Sequence, residues 1–198
     1  MKYLKMLGLA AVAACALMAF VGAGSASATT LTCSGLTTCP TGTVLHAVSE
    51  GHATLHPIIG DIQCNSTVQG KITSTGSSTT TTVGGIETLT FTGCTNGATV
   101  HTLKAGNLEL HVTGTDVGTV TSTGAEVTVE AFGFHCIFST NATDIGTFTG
   151  SNKTGKAATL DIVATIPRTG GRSGAFCGST AQWTGSYEIT KPNPLNIH

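Results

Sequence analysis

Trp183 and Tyr187 stand four residues apart in Ala181–Ile189, where Ala181, Trp183, Gly185, Tyr187 and Ile189 alternate with Gln182, Thr184, Ser186 and Glu188. On one strand face two such rings lie about 13 Å apart. In solvent they would form a stacking platform for the sugar rings of a cell-surface glycan. Aromatic residues are only 5% of the chain, so the competing reading places both rings in the core. His52 and His56 share a strand face in the same way and, with His46 or Glu50, offer nitrogen and oxygen ligands to a metal. No H-E-x-x-H or comparable fixed spacing accompanies them, and the expectation is solvent-facing histidines with no metal and no cofactor. His135 precedes Cys136, the residue types of a Cys–His nucleophile. Carboxylates at 50, 61, 87, 109, 116, 126, 130, 144, 161 and 188 could supply a glycosidase pair, Glu126 with Glu130 or Glu130 with Asp161. Charges that alternate outward along strands more often solubilise a sheet, and no G-x-S-x-G, S-x-x-K or P-loop is present. Arg168 and Arg172 bracket Thr169-Gly170-Gly171 and could hold a phosphate or carboxylate. With no helix start behind them, Thr169–Gly174 reads as a Gly-rich hairpin loop. The sequence thus nominates no catalytic residue, and an extracellular hydrolase is the weaker alternative.

The cysteines favour a scaffold over a nucleophile. Residues 1–28 have the form of a signal peptide: Lys2 and Lys5, an apolar run from Met6 to Val21, and Ala26-Ser27-Ala28 as the cleavage signal. The mature chain is expected to begin at Thr29 and to lack a transmembrane segment. Val12-Ala13-Ala14-Cys15 is a loose lipobox, the alternative that would tether the protein to the cell envelope through Cys15. Beyond residue 28 six cysteines remain, Cys33, Cys39, Cys64, Cys94, Cys136 and Cys177. An even number in an exported chain reads as three disulfides, and without a C-x-x-C pair a zinc site has little support. Of the fifteen possible pairings, proximity favours Cys33–Cys39, Cys64–Cys94 and Cys136–Cys177. Without Lys2 and Lys5 the chain carries seven basic and ten acidic side chains, a net charge of −3. Such a surface suits neither nucleic acid nor anionic lipid.

These residues need strands to position them. Threonine and glycine dominate, and outside the leader no apolar pattern has a helical period, so helix should be nearly absent. The densest run is Gly124–Phe138: Val127, Val129 and Ala131 alternate with Thr128 and Glu130, and beyond a bulge or tight bend at Gly133 the residues Phe134, Cys136 and Phe138 share a face. Short strands are read at Thr43–Ala47 and Gly51–Leu55, at Ile58–Cys64 running into Thr67–Thr73 with a bulge at Gly70, at Ile86–Phe91, and at Ala158–Ile166, ended by Pro167. Thr99–Leu103 and Leu108–Val112 flank Lys104–Asn107 as a hairpin. The Ser/Thr/Gly tract 73–85 reads as a flexible loop. Thr115–Thr121 is echoed by Thr143–Thr149, each a turn followed by a strand with Asp capping the turn. Leu195–Ile197, behind two prolines, is at most an edge strand. Sequons at Asn65, Asn141 and Asn152 are expected to be incidental.

The expected fold is all-β, a single domain over residues 29–198 built as a two-sheet antiparallel sandwich of about 10–12 short strands, with a β-barrel or β-helix as alternatives. Cys64-Asn65-Ser66, Phe91-Thr92-Gly93-Cys94, Thr143–Thr147 and Ala181–Tyr187 before a Pro-rich end carry a resemblance to a group of small secreted bacterial Thr/Gly-rich β-sandwich proteins of uncharacterised function. The likeness spans essentially the whole mature chain. It implies a secreted, extracellular β-sandwich protein and transfers no catalytic residues. The functional expectation is a non-enzymatic structural or binding role outside the cell, its partner a surface glycan or protein. A carbohydrate-binding module using Trp183 and Tyr187 is the runner-up.

Overall fold

A computed structural model describes residues 29–33, 37–58, 60–77, 80–153, 155–172 and 177–198. The expected leader, with Cys15 in it, lies outside the described residues. So do Thr154 of one sequon and residues 173 and 174 of the expected Gly-rich loop.

The described residues form fourteen strands and a 3₁₀ turn at Thr95–Gly97. In chain order these are β1 (Leu31–Cys33), β2 (Thr37–Thr38), β3 (Val44–His56), β4 (Ile62–Ser77), β5 (Thr80–Thr92), β6 (Thr99–Lys104), β7 (Asn107–Gly114), β8 (Val117–Thr123), β9 (Glu126–Ala131), β10 (Phe134–Ser139), β11 (Thr143–Thr149), β12 (Ala158–Arg172), β13 (Thr180–Lys191) and β14 (Asn196–Ile197).

The sandwich expectation gives way to the barrel alternative. Eight antiparallel strands close on themselves in the order β11-β8-β7-β5-β4-β3-β13-β12, and β12 pairs back to β11 through Gly146↔Ile162 to Thr149↔Thr159. Closure removes the two edges that a sandwich would have to protect. It depends on Gly146, where a Cβ would run into the Asp161 carbonyl of β12. Only a glycine lets the two backbones meet there.

The long strands β5, β4, β3, β13 and β12, each of 12–16 residues, form a shared wall. Two triplets of shorter strands roof it. At the upper half β7, β8 and β11 complete the hydrogen-bonded barrel. At the lower half β6, β9 and β10 extend from the far end of β12, where Phe138↔Arg168 and Cys136↔Gly171 pair. The free side of β6 turns back toward β5, with the Thr102 hydroxyl donating to the Leu89 carbonyl at 2.6 Å. The lower half therefore closes through side chains rather than a ladder.

Alternation along the wall follows from the sequence. On β12, Ala158, Leu160, Ile162, Ala164 and Ile166 point inward and are buried, while Asp161, Val163 and Thr165 face out. Val129, Cys136 and Phe138 are fully buried as the densest apolar run requires. Phe132 and Gly133, both with positive φ, form a tight hairpin turn between β9 and β10. The expected bulge at Gly70 is present as a register shift against β5.

Several local expectations are corrected. The 43–47 and 51–55 strands are one, β3, with a bulge between Val48 and Ala53. The described residues of the 73–85 tract are strand and not loop, pairing along the β4–β5 hairpin through Thr75↔Thr82 and Ser77↔Thr80, while residues 78 and 79 lie outside the described residues. Threonine's preference for extended backbone outweighs its low-complexity composition there. β6 and β7 are not hairpin partners, because Gly106 carries the chain from the lower roof to the upper one. β12 continues past Pro167 through Arg172, so Thr169–Arg172 is strand and not loop. Pro167 is tolerated because it falls where pairing with β13 ends and pairing with β10 begins. The echoed segments become β8 and β11, neighbours in the barrel. Asp116 sits in a turn as expected, whereas the Asp144 carboxylate accepts from the Thr121 hydroxyl instead of capping a turn.

Three disulfides join Cys33–Cys39, Cys64–Cys94 and Cys136–Cys177, the pairing that proximity favours. A second sheet, β14-β1-β2, caps the upper end. Leu195, Asn196 and Ile197 are buried in it at 2%, 1% and 0% exposure, so this edge segment is a plug rather than a tail.

Candidate functional site in the barrel interior

The aromatic pair is inside the barrel. Tyr187 is 1% exposed and Trp183 is half-buried on the inward face of β13, which corrects the solvent platform weighed from sequence. Their ring centroids are 6.3 Å apart at 88°, edge to face. That is about half the spacing of a regular strand. β13 shifts register against β3 between Thr184 and Ser186, and Gly185 between the rings has no side chain to keep them apart. Edge-to-face packing of this kind adds about 0.5–1.5 kcal/mol to the area buried. The outward residues of the same strand, Gln182, Thr184 and Ser186, carry no aromatic ring for a sugar to stack on.

Tyr187 pays for its position in hydration. Burial pushes its phenol up to about 12, and the nearby Ser66 hydroxyl and Trp183 indole pull it partly back. Yet Ser66 Oγ, Trp183 Nε1 and Tyr187 Oη are all buried without meeting hydrogen-bond geometry. Three polar atoms thus cluster inside an apolar shell, close enough to feel one another and not bonded.

Beside this cluster lies a cavity of about 130 Å³ in the upper half. Leu45, Val68, Leu108, Ile145, Phe148 and Ile162 line it from five strands, with Trp183 and Tyr187 from a sixth, and almost no polar atom reaches its surface. Leu31 and Leu195 of the cap form its upper end. A second cavity of about 40 Å³ occupies the lower half, between Leu55, Phe91, Val100, Val127, Phe138 and Ile166. Leu89, Ala125 and Trp183 border both.

Of the other nominated side chains, His46 borders the upper cavity, and the remaining histidines, carboxylates and arginines lie outside both cavities. His46 Nδ1 is 2.6 Å from the Thr190 hydroxyl, and His52 is exposed. Among the described residues no three of His, Cys, Asp and Glu gather as metal ligands. His56 Nδ1 is 2.7 Å from Asp61 Oδ1, and its Nε2 is 3.3 Å from the Thr184 hydroxyl. That sequence of contacts is the one an acyl-transfer relay uses. Here it lies on the outer sheet surface, with the Asp61 side chain 62% exposed, and neither cavity includes it. Cys136 is consumed in a disulfide and His135 turns to Glu130 at 3.8 Å, so they form no nucleophile pair. Glu126 faces Lys104 at 3.6 Å and Asp161 is exposed. Arg172 is exposed, while the buried Arg168 Nε has no hydrogen-bond partner, so the two guanidiniums do not present a joint anion clamp.

Sequence reasoning overlooked Ser66 and Leu89. A signal for Ser66 was present: Ile62, Cys64 and Ser66 alternate on β4, which turns the serine inward with the two apolar residues. No family model, curated protein or solved structure matches this chain.

Proposed function

We propose that this is a secreted, non-enzymatic protein that binds a small apolar molecule inside its barrel. The upper cavity carries the reading: a ring of eight strands encloses a space whose wall is nearly free of polar atoms. Eight-stranded barrels have an interior just wide enough to be filled by side chains or to hold one small ligand. A cavity of about 150 Å³ with an aliphatic and aromatic lining stays dry and takes up benzene, so about 130 Å³ suits a molecule near the size of one ring. Transfer of such a molecule from water is driven by its apolar area alone, at about 25 cal/mol per Å². Three disulfides in a chain of this size support an oxidising, extracellular location.

The test is titration of the oxidised chain with bromobenzene, whose heavy atom quenches a nearby indole. Trp183 is the sole tryptophan and borders both cavities. Saturable quenching that toluene reverses is the expected result. Quenching that rises linearly, as for free tryptophan, would sink the reading. Oligosaccharides are expected to leave the emission unchanged, because neither ring is presented to solvent as a platform.

A further inference from the structure

The two cavities are separated by very little. Leu89, Ala125 and Trp183 are the three residues that line both, and Trp183 is the largest of them. Its indole Nε1 is buried and makes no hydrogen bond. Rotation of the ring therefore breaks no well-formed hydrogen bond and gives up only its weak pull on the Tyr187 hydroxyl and its edge-to-face packing on Tyr187. The lower cavity continues the upper one along the shared wall: Leu55 and Leu45 belong to one strand, Ile62 and Ile72 to another, Ile166 and Ile162 to a third. Both chambers present almost no polar atom.

We propose that the two chambers are one elongated site with Trp183 as a movable partition, and that the ligand is an unbranched aliphatic chain threading past it. This rests on the reading that the upper cavity binds an apolar molecule. A compact ring fills the upper chamber and stops at Trp183. A slender chain displaces the indole and continues toward Phe138 and Ile166, with each added methylene leaving water for an apolar wall. The passage borders on Ala125 and Leu89, aliphatic side chains that a slender chain passes without meeting a polar atom.

The experiment is a ladder of probes on the chain from Thr29 with its three disulfides formed: bromobenzene, then 1-bromoalkanes of increasing length, read by saturable quenching of Trp183. Affinity is expected to rise about fourfold per methylene and to keep rising beyond chains that match bromobenzene in volume. A plateau at that volume, with bromobenzene still binding, would overturn the single-site proposal and leave the upper-chamber reading standing. Absence of saturable quenching by every probe would remove both. Ala125→Leu thickens the partition and is the second arm, with its fold checked by circular dichroism. It is expected to lower the affinity of the longest probes by a much larger factor than that of bromobenzene, so that the gain with chain length is lost. Unchanged binding of the longest probe in that variant would also refute the proposal.

Discussion

Tyr187 offers a sharp test of the interior. A chain made from Thr29 onward contains it as the only tyrosine, since the other is Tyr3. Its tyrosinate absorbance therefore reports one group. With the phenol held at about 12 by burial and an unfolded value near 10, the folded state keeps its proton more tightly than the unfolded chain does. The contribution to stability is full below pH 10 and is lost as pH rises from about 10 to 12. Two units correspond to about 2–3 kcal/mol. Spectrophotometric titration should show a folded midpoint near 12 and, in concentrated urea, a midpoint near 10. Tyr187→Phe should lack the signal and lose about 2–3 kcal/mol less stability across that window, measured by urea unfolding at each pH. Near neutrality the same substitution removes a buried hydroxyl without a hydrogen bond and keeps the ring against Trp183. It should cost less than about 1 kcal/mol or be stabilising. A folded midpoint near 10 would mean that the hydroxyl reaches water, and the account of the aromatic cluster as interior would be wrong.

Other consequences are open to measurement. Gly146→Ala would force β11 away from the Asp161 carbonyl and is expected to cost several kcal/mol in urea unfolding, with loss of amide-exchange protection along β11 and the first half of β12. Replacing both Cys136 and Cys177 by serine, which opens a separation of 41 residues, should cost about 4 kcal/mol on the chain-entropy scale. Replacing Cys33 and Cys39, separated by 6, should cost about 2 kcal/mol; the reverse order would refute the loop-length argument. Phe138→Ala, at a fully buried side chain lining the lower cavity, should cost about 3–5 kcal/mol and enlarge that cavity, visible as tighter binding of bulky apolar probes.

The strands were readable where alternation is strict. Leu160, Ile162, Ala164 and Ile166 gave the inward face of β12, and Trp183 and Tyr187 the inward face of β13, because the pleat fixes direction. Closure was not readable. Whether β11 ends a sheet or joins β12 depends on a backbone approach at Gly146, and a glycine in a strand marks such an approach without naming its partner. Extent also misled at Pro167 and in the 73–85 tract, where proline and serine are turn residues by propensity and the long wall overrides them. The candidate site was half legible. Its aromatic pair stood out by rarity, but the bulge at Gly185 that folds one ring onto the other, and the inward turn of Ser66, emerge only when the strands are wrapped around a common axis.

The pairing of β13 with β3 has a consequence for how the molecule comes together. Gln182 meets His56 across 126 positions of chain, whereas β4 meets β5 across a short hairpin sealed nearby by Cys64–Cys94. A chain made from its N-terminus can complete the hairpin early, but β3 keeps a bare edge until almost all residues have emerged. Such non-local closure is slow, in the millisecond-to-second range for β topologies. The nascent sheet therefore spends its longest wait with one edge of a thirteen-residue strand unpaired and is most prone to pair with a second copy during that interval. Chains shortened before Thr180 should accumulate as aggregates, while loss of the last two residues alone leaves the shared wall complete.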